Sequence, residues 1–336
     1  MRRPATPGAP SEPPRRPLIL DTDGGVDDAQ ALILLLAHGL VPEAVTTVFG
    51  NVGLEAATRN ALAVLSLCGA GEVPVHAGQA GPLVGRAIHA THIHGEDGLG
   101  GAPRPERIPE PAGRDAVAFL RDRLARAAAE GAPADLLFIG PLTNLALALS
   151  LEPGIARGVG HLVVMGGTLH GRGNTTPAAE FNAFADPEAA AVVLAADIPT
   201  TVVPWEPCRD HAMPGPEVDA ALAGLPDDPL GRLNRALALH ARGVIEAYGR
   251  GDRFQIVDPF AAAVLIEPSL VTASVSASVD VALAPGLTRG MTVVDPDGRL
   301  GTPPVTLVER GDLGRLKALF VSSLAWRPRT GPEGAA

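Results

Sequence analysis

The chain has 336 residues, 46% of them hydrophobic and 3% aromatic, with a formal net charge of −10. That acidity repels polyphosphate backbones and anionic membrane surfaces, and so few aromatic rings argue against a stacking platform for single-stranded nucleic acid. Small polar substrates remain open. Cys68 and Cys208 have no CxxC spacing and read as buried free thiols of a reducing compartment. There is no apolar run of membrane-span length, and no apolar signal segment follows Arg2-Arg3. The expected location is therefore the cytoplasm, with neither nucleic acid nor membrane as a partner.

Residues 1–16, rich in Pro, Ala, Ser and Arg, are expected to form a disordered tail, and residues 17–330 a single domain. Leu18-Ile19-Leu20 reads as a strand that ends in an acidic loop, followed by a helix from Asp27 to Ala37. A strand over Val45–Phe49 precedes a helix from about Glu55 to Cys68. A further helix covers Arg114–Glu130. The strand Leu136–Ile139 runs into a helix from Asn144, and the strand Leu162–Met165 ends at Gly166-Gly167. Next come a helix near Pro187–Ala195, the strand Thr200–Val203, and helices near Pro229–Tyr248 and Pro259–Ile266. Short strands between Val279 and Val308 precede a last helix, Leu313–Leu324. This alternation predicts an α/β fold: an open, mostly parallel sheet with helices on both faces. Ligands of such sheets bind beyond the carboxyl ends of the strands. Asp21 to Asp28, Asn51, Ile139 and the segment Gly166–Asn182 all follow apolar strands.

The loop Asp21-Thr22-Asp23-Gly24-Gly25-Val26-Asp27-Asp28 carries four aspartates in eight residues. Burying several carboxylates is costly unless a cation compensates, and hard cations such as Ca²⁺ take oxygen ligands. Helix capping accounts for Asp27 or Asp28, but not for four aspartates around a Gly-Gly turn. A DxD loop after a first strand also occurs in haloacid-dehalogenase phosphatases. Gly25 and a lone lysine at Lys317 speak against that reading.

The sequence DTDGGVDDAQAL resembles the signature of the inosine-uridine preferring nucleoside hydrolase family. Five later segments match in the family's order. They are Phe49-Gly50-Asn51 with Thr58 to Leu62, His94 to Gly101, Ile139 to Asn144, Met165 to Asn182, and Asp258-Pro259-Phe260-Ala261. The resemblance implies a Rossmann-like nucleoside hydrolase fold and Ca²⁺-dependent cleavage of the N-glycosidic bond of purine or pyrimidine ribonucleosides, in nucleoside salvage. Asp23, Asp28 and Asp258 would bind Ca²⁺ through carboxylates and Ile139 through its carbonyl. Asp23 would also activate a metal-bound water. Asp27, Asn51, Asn174, Glu180 and Asn182 would hold the ribose. A homodimer or homotetramer is implied as well.

For Asn174, Glu180 and Asn182 the plain alternative is a solvated loop, for Asn51 a turn, and for Asp258 a helix cap with Pro259 at the first helical position. His94 is expected to line the pocket, with His89 and His92 in the same polar loop. Two positions depart from the family. Gly24 stands where Pro is usual, which predicts a looser loop. Val257 stands where a His would protonate the leaving base, or a Trp stack on it. His240, Arg242, Tyr248 and Arg253 are candidate substitutes. Trp205 and Trp326 receive no base-stacking role. Val257 also motivates a second hypothesis, a nucleoside- or ribose-binding protein with little turnover.

Overall fold

A computed structural model describes residues 16–328. The tail expected over residues 1–16 lies outside them except for Arg16, which pairs with Asp135 at 3.0 Å.

The strands are β1 (Leu18–Thr22), β2 (Ala44–Thr47), β3 (Val75–Ala77), β4 (Ala134–Phe138), β5 (Val159–Met165), β6 (Thr200–Val203), β7 (Ala212–Pro214), β8 (Arg253–Gln255), β9 (Val271–Val281), β10 (Thr292–Asp295) and β11 (Val305–Gly311). The helices are α1 (Val26–Ala37), α2 (Leu54–Leu67), α3 (Thr91–His94), α4 (Ala116–Glu130), α5 (Thr143–Leu151), α6 (Phe181–Ala185), α7 (Pro187–Leu194), α8 (Trp205–Asp210), α9 (Gly215–Ala223), α10 (Pro229–Ala247), α11 (Asp258–Ile266) and α12 (Leu313–Ala325). Nine strands form one sheet in the order β10-β9-β11-β6-β5-β4-β1-β2-β3; β7 and β8 pair separately. The pairs from β3 through β11 run parallel, and β9 is antiparallel to both its neighbours.

Alternation along each strand splits the core in two. Leu18, Leu20, Leu137, Val163, Met165 and Val203 face the side packed by α1, α2, α10, α11 and α12. Ile19, Leu136, Phe138, Leu162, Val164 and Val202 face the side packed by α4, α5 and α7. Leu20 and Leu137 are completely buried. Each such side chain contributes about 1.5–3 kcal/mol relative to exposure. Helix ends follow local chemistry. Asp228 caps α10 by accepting from the Gly231 amide, with Pro229 at the first helical position. Besides Gly231, the buried residues of α10, Leu230, Leu233, Asn234, Leu237 and Ala238, recur at one-turn spacing.

The predicted fold class is the observed one. The unforeseen elements are short or weakly apolar: β3 has 3 residues and α3 has 4, and β9 reads Val-Thr-Ala-Ser-Val-Ser, half-exposed in alternation. β1 is hydrogen-bonded to β2 on one side and to β4 on the other, so connections leave it in opposite directions. That is the switch point where a crevice opens at the carboxyl ends. Among the described residues, no helix is long and apolar enough to cross a membrane.

Candidate active site

A cavity of about 320 Å³ opens at this switch point. Its base is the acidic loop after β1. Asp21 turns away from it, into the sheet: its Oδ2 accepts from Thr46 Oγ1 at 2.6 Å and Asn144 Nδ2 at 2.8 Å. It ties β1, β2 and the start of α5 together. Asp28, in the first turn of α1, accepts from the Thr22 hydroxyl and the amides of Asp23 and Gly25. Asn51, just past β2, links two carboxylates. Its side-chain nitrogen donates to Asp23 Oδ1 at 2.8 Å and Asp28 Oδ2 at 3.0 Å, and its backbone amide donates to Asp23 Oδ2 at 2.8 Å.

Gly24 was expected to loosen this loop. It sits instead at φ +74°, where a Cβ would lie 2.4 Å from the Ala57 backbone. Proline cannot adopt that φ. Thr22 Oγ1 accepts from the Gly24 amide and Asn60 Nδ2 donates to the Gly24 carbonyl. The loop is pinned in a conformation that only glycine takes without strain.

The helices α1 and α11 pack against each other, with Asp27 and Asp28 in the first turn of one and Asp258 opening the other. Oxygens of Asp27, Asp28 and Asp258 lie within 4.8 Å of one another. Two helix N-termini therefore meet around three carboxylates, and their dipoles offset only part of the repulsion. At an effective dielectric near 20, each ionised pair at this spacing opposes the others by roughly 3–4 kcal/mol. Burial, and then the neighbouring charges, push Asp23 and Asp258 well above the usual carboxylate range. Burial pushes Asp27 up to about 6 and Asp21 up to about 7. Asp27 Oδ1 is buried with no hydrogen-bond partner among the described residues. An orphaned oxygen beside two further carboxylates fits a hard divalent cation. This trio contains Asp27, which the resemblance gives to the sugar. Asp23 is completely buried, is not among the residues lining the cavity, and is engaged by Asn51.

Glu180 precedes α6 and lines the cavity. Its Oε1 accepts from the Asn182 amide and its Oε2 from those of Gly167 and Ala183. Burial nevertheless pushes its carboxyl up to about 7. Asn182 Nδ2 donates to the carbonyls of Ile139 at 3.0 Å and Met165 at 3.1 Å. Both its N–H bonds are used, which leaves Oδ1 free to accept. Asn174 is exposed at the cavity edge.

Histidines also line the cavity, and His94 sits against the acidic loop, its Nδ1 3.7 Å from Asp27 Oδ1. His94 Nδ1 accepts from the Val26 amide at 3.1 Å, so its proton sits on Nε2. Burial pushes the ring down to about 4, and it is neutral at pH 7. His240 Nε2 donates to the Ile93 carbonyl at 2.8 Å. His89 and His92 line the same cavity, as does Tyr248, which is 56% exposed at the end of α10. Val257 lines it as well. Arg242 is committed elsewhere, to Asp219 and Asp252, and Arg253 does not line the cavity.

Trp205, given no role from the sequence, is buried and lines the cavity where α8 begins after β6. Its place at a strand's carboxyl end was the available signal. Gln30 and Gln255 also line the cavity and were missed. Gln30 is the polar residue in the otherwise apolar stretch Ala29–Ala37 of α1, three residues after Asp27.

Residues 18–317 match the family model described as inosine-uridine preferring nucleoside hydrolase. Proteins from Shigella boydii and Escherichia coli described as non-specific ribonucleoside hydrolase RihC are 40% identical over 290 residues, which is 86% of this chain and 91% of theirs. The plant nucleoside hydrolase PpNRh1 superposes with a TM-score of 0.85 at 29% identity, covering 93% of this chain and 99% of that one. A purine-preferring ribonucleoside hydrolase from Gardnerella vaginalis gives 0.83 at 27% identity, covering 92% and 98%. The chain thus belongs to the inosine-uridine preferring nucleoside hydrolase family, whose members hydrolyse N-glycosyl bonds.

Proposed function

We propose that this protein hydrolyses the N-glycosidic bond of ribonucleosides to ribose and free base, with Ca²⁺ held by Asp23, Asp27, Asp28, Asp258 and the Ile139 carbonyl. The observation that carries the reading is the meeting of three carboxylates at the base of a cavity that Asn51, Asn174, Glu180 and Asn182 also line. When bound, a divalent cation would offset the carboxylate charge, acidify water and orient a sugar diol. Ile139 O, already accepting one hydrogen bond, keeps a second lone pair for it.

Asp23, oriented at both oxygens by Asn51, takes the proton from the attacking water. Water oxygen bonds to C1′ as the C1′–N bond breaks through an oxocarbenium-like state, by analogy with O-glycosides. Glu180, with both oxygens fixed by backbone amides, accepts from ribose hydroxyls, and so does Asn182 Oδ1. Asn174 at the cavity edge and the Asn51 amide complete the sugar contacts. The bond electrons pass to the base nitrogen. Val257 donates no proton, so the base is served by His94 Nε2–H and Tyr248 on the same cavity.

A reducing-sugar assay across purine and pyrimidine ribonucleosides with Ca²⁺ tests the reading. Ribose release is expected; folded protein that turns over no riboside would refute it.

A further inference from the structure

The side chain of Gln30 is 98% buried (2% exposed), yet it lines the cavity. Its Nε2 has no hydrogen-bond partner among the described residues. A buried amide in that condition costs about 1–3 kcal/mol, a penalty that an apolar side chain of similar shape avoids. Leu, Ile and Ala fill the rest of this helix from Ala29 to Ala37. Nothing in the packing calls for an amide, whereas a ligand in the cavity would.

Position identifies which part of the ligand. Gln30 follows Asp27 by three residues, so both project from one side of α1, about 4.5 Å apart along its axis. Asp27 belongs to the carboxylate group at the sugar end. α1 also packs on α10 and α11, the helices that bring His240 and, just before α11, Val257 to the same cavity. A side chain about 4.5 Å along the axis from the sugar-end carboxylate is within reach of the base attached to that sugar.

Resting on the nucleoside hydrolase reading, we propose that Gln30 reads the leaving base, pairing its primary amide with an edge that carries a carbonyl beside an N–H. Rotation about the last side-chain torsion turns the edge that carries both Nε2 and Oε1 toward the cavity. Nε2–H then donates to the base carbonyl while Oε1 accepts from the ring N–H, as an amide pairs with a lactam. The role is recognition of the leaving group and strengthening of its electron sink.

The test compares wild type, Gln30→Leu and Gln30→Met on inosine, uridine and 4-nitrophenyl β-D-riboside, whose leaving group has no lactam edge. In both variants, the ratio of kcat/KM for the nucleosides to that for the nitrophenyl riboside should fall about tenfold or more. Thermal stability of the free protein should hold or rise, because the orphaned amide is gone. An unchanged ratio in a folded variant overturns the proposal. So does a parallel loss on all three substrates together with a lower Tm, which marks a structural amide. If the wild type cleaves none of the three, the hydrolase reading falls and the Gln30 role falls with it, a result separable from a failed ratio.

Discussion

The base of the cavity and its outer wall are built by different rules. At the base, almost every group is fixed more than once: Asp28 by Thr22, Asp23, Gly25 and Asn51, and Glu180 by three backbone amides. The groups that stay unbalanced there are charges, which wait for a cation. The wall is looser. It consists of the short α3, the end of α10 with an exposed Tyr248, and Val257. Chemistry on the sugar needs fixed geometry, and the base of the cavity supplies it. The choice of leaving group is left to side chains that come singly from separate elements.

The largest way to break this contrast is Asp23→Ala. It should lower turnover of any accepted nucleoside by about 10²–10⁴ with the circular dichroism spectrum unchanged. Near-normal turnover would mean that another group is the base. Asp258→Asn comes next. In wild type, a cation at 100 times its dissociation constant adds about 2.7 kcal/mol, read as a Ca²⁺-dependent rise in Tm. The variant should lose most of that rise, yet be no less stable than wild type in chelator, because a neutral amide replaces a buried acid that its neighbours resist ionising. Gly24→Ala should cost about 1–2 kcal/mol in denaturant unfolding through its positive φ, with Ala57 adding a clash. A neutral result would show that the loop is not pinned.

On the wall, Val257→His should raise inosine or uridine turnover, by about tenfold, if acid assistance limits the rate. A lower rate would mean that the wall is shaped for a leaving group with other needs. The smallest effect concerns pH. Glu180 titrates at about 7 in the fold against an ordinary value of 4.5. Between those values the native state holds a proton that the unfolded chain has released, so stability falls as pH rises through that window. Asp27, raised to about 6, acts in the same direction. Cation-free protein should therefore lose Tm from pH 4.5 to 7. A rise over that range would contradict the buried carboxylates.

The base of the cavity was legible in the sequence because its chemistry is concentrated. Four aspartates around a Gly-Gly turn after an apolar strand have few other physical explanations, and Asn51, Ile139, Glu180, Asn182 and Asp258 follow at strand or helix ends. The sheet was legible for the same reason: its central strands are short apolar runs buried on both faces. The wall was not. Gln255 reaches the cavity through the packing of β8, a long-range contact with no local signal, and Trp205 offered only its place just after a strand. Arg242 read as a candidate donor until its pairing with Asp219 and Asp252 was seen. Asp27 shows the limit within a motif: spacing brings it to the site, but only the fold shows its oxygen beside those of Asp28 and Asp258.

The most direct test of the account is ribose release from inosine and uridine by chelator-stripped enzyme as Ca²⁺ is titrated back. The account predicts negligible turnover without cation and recovery that saturates at one Ca²⁺ per chain. Full turnover in the stripped protein would contradict it.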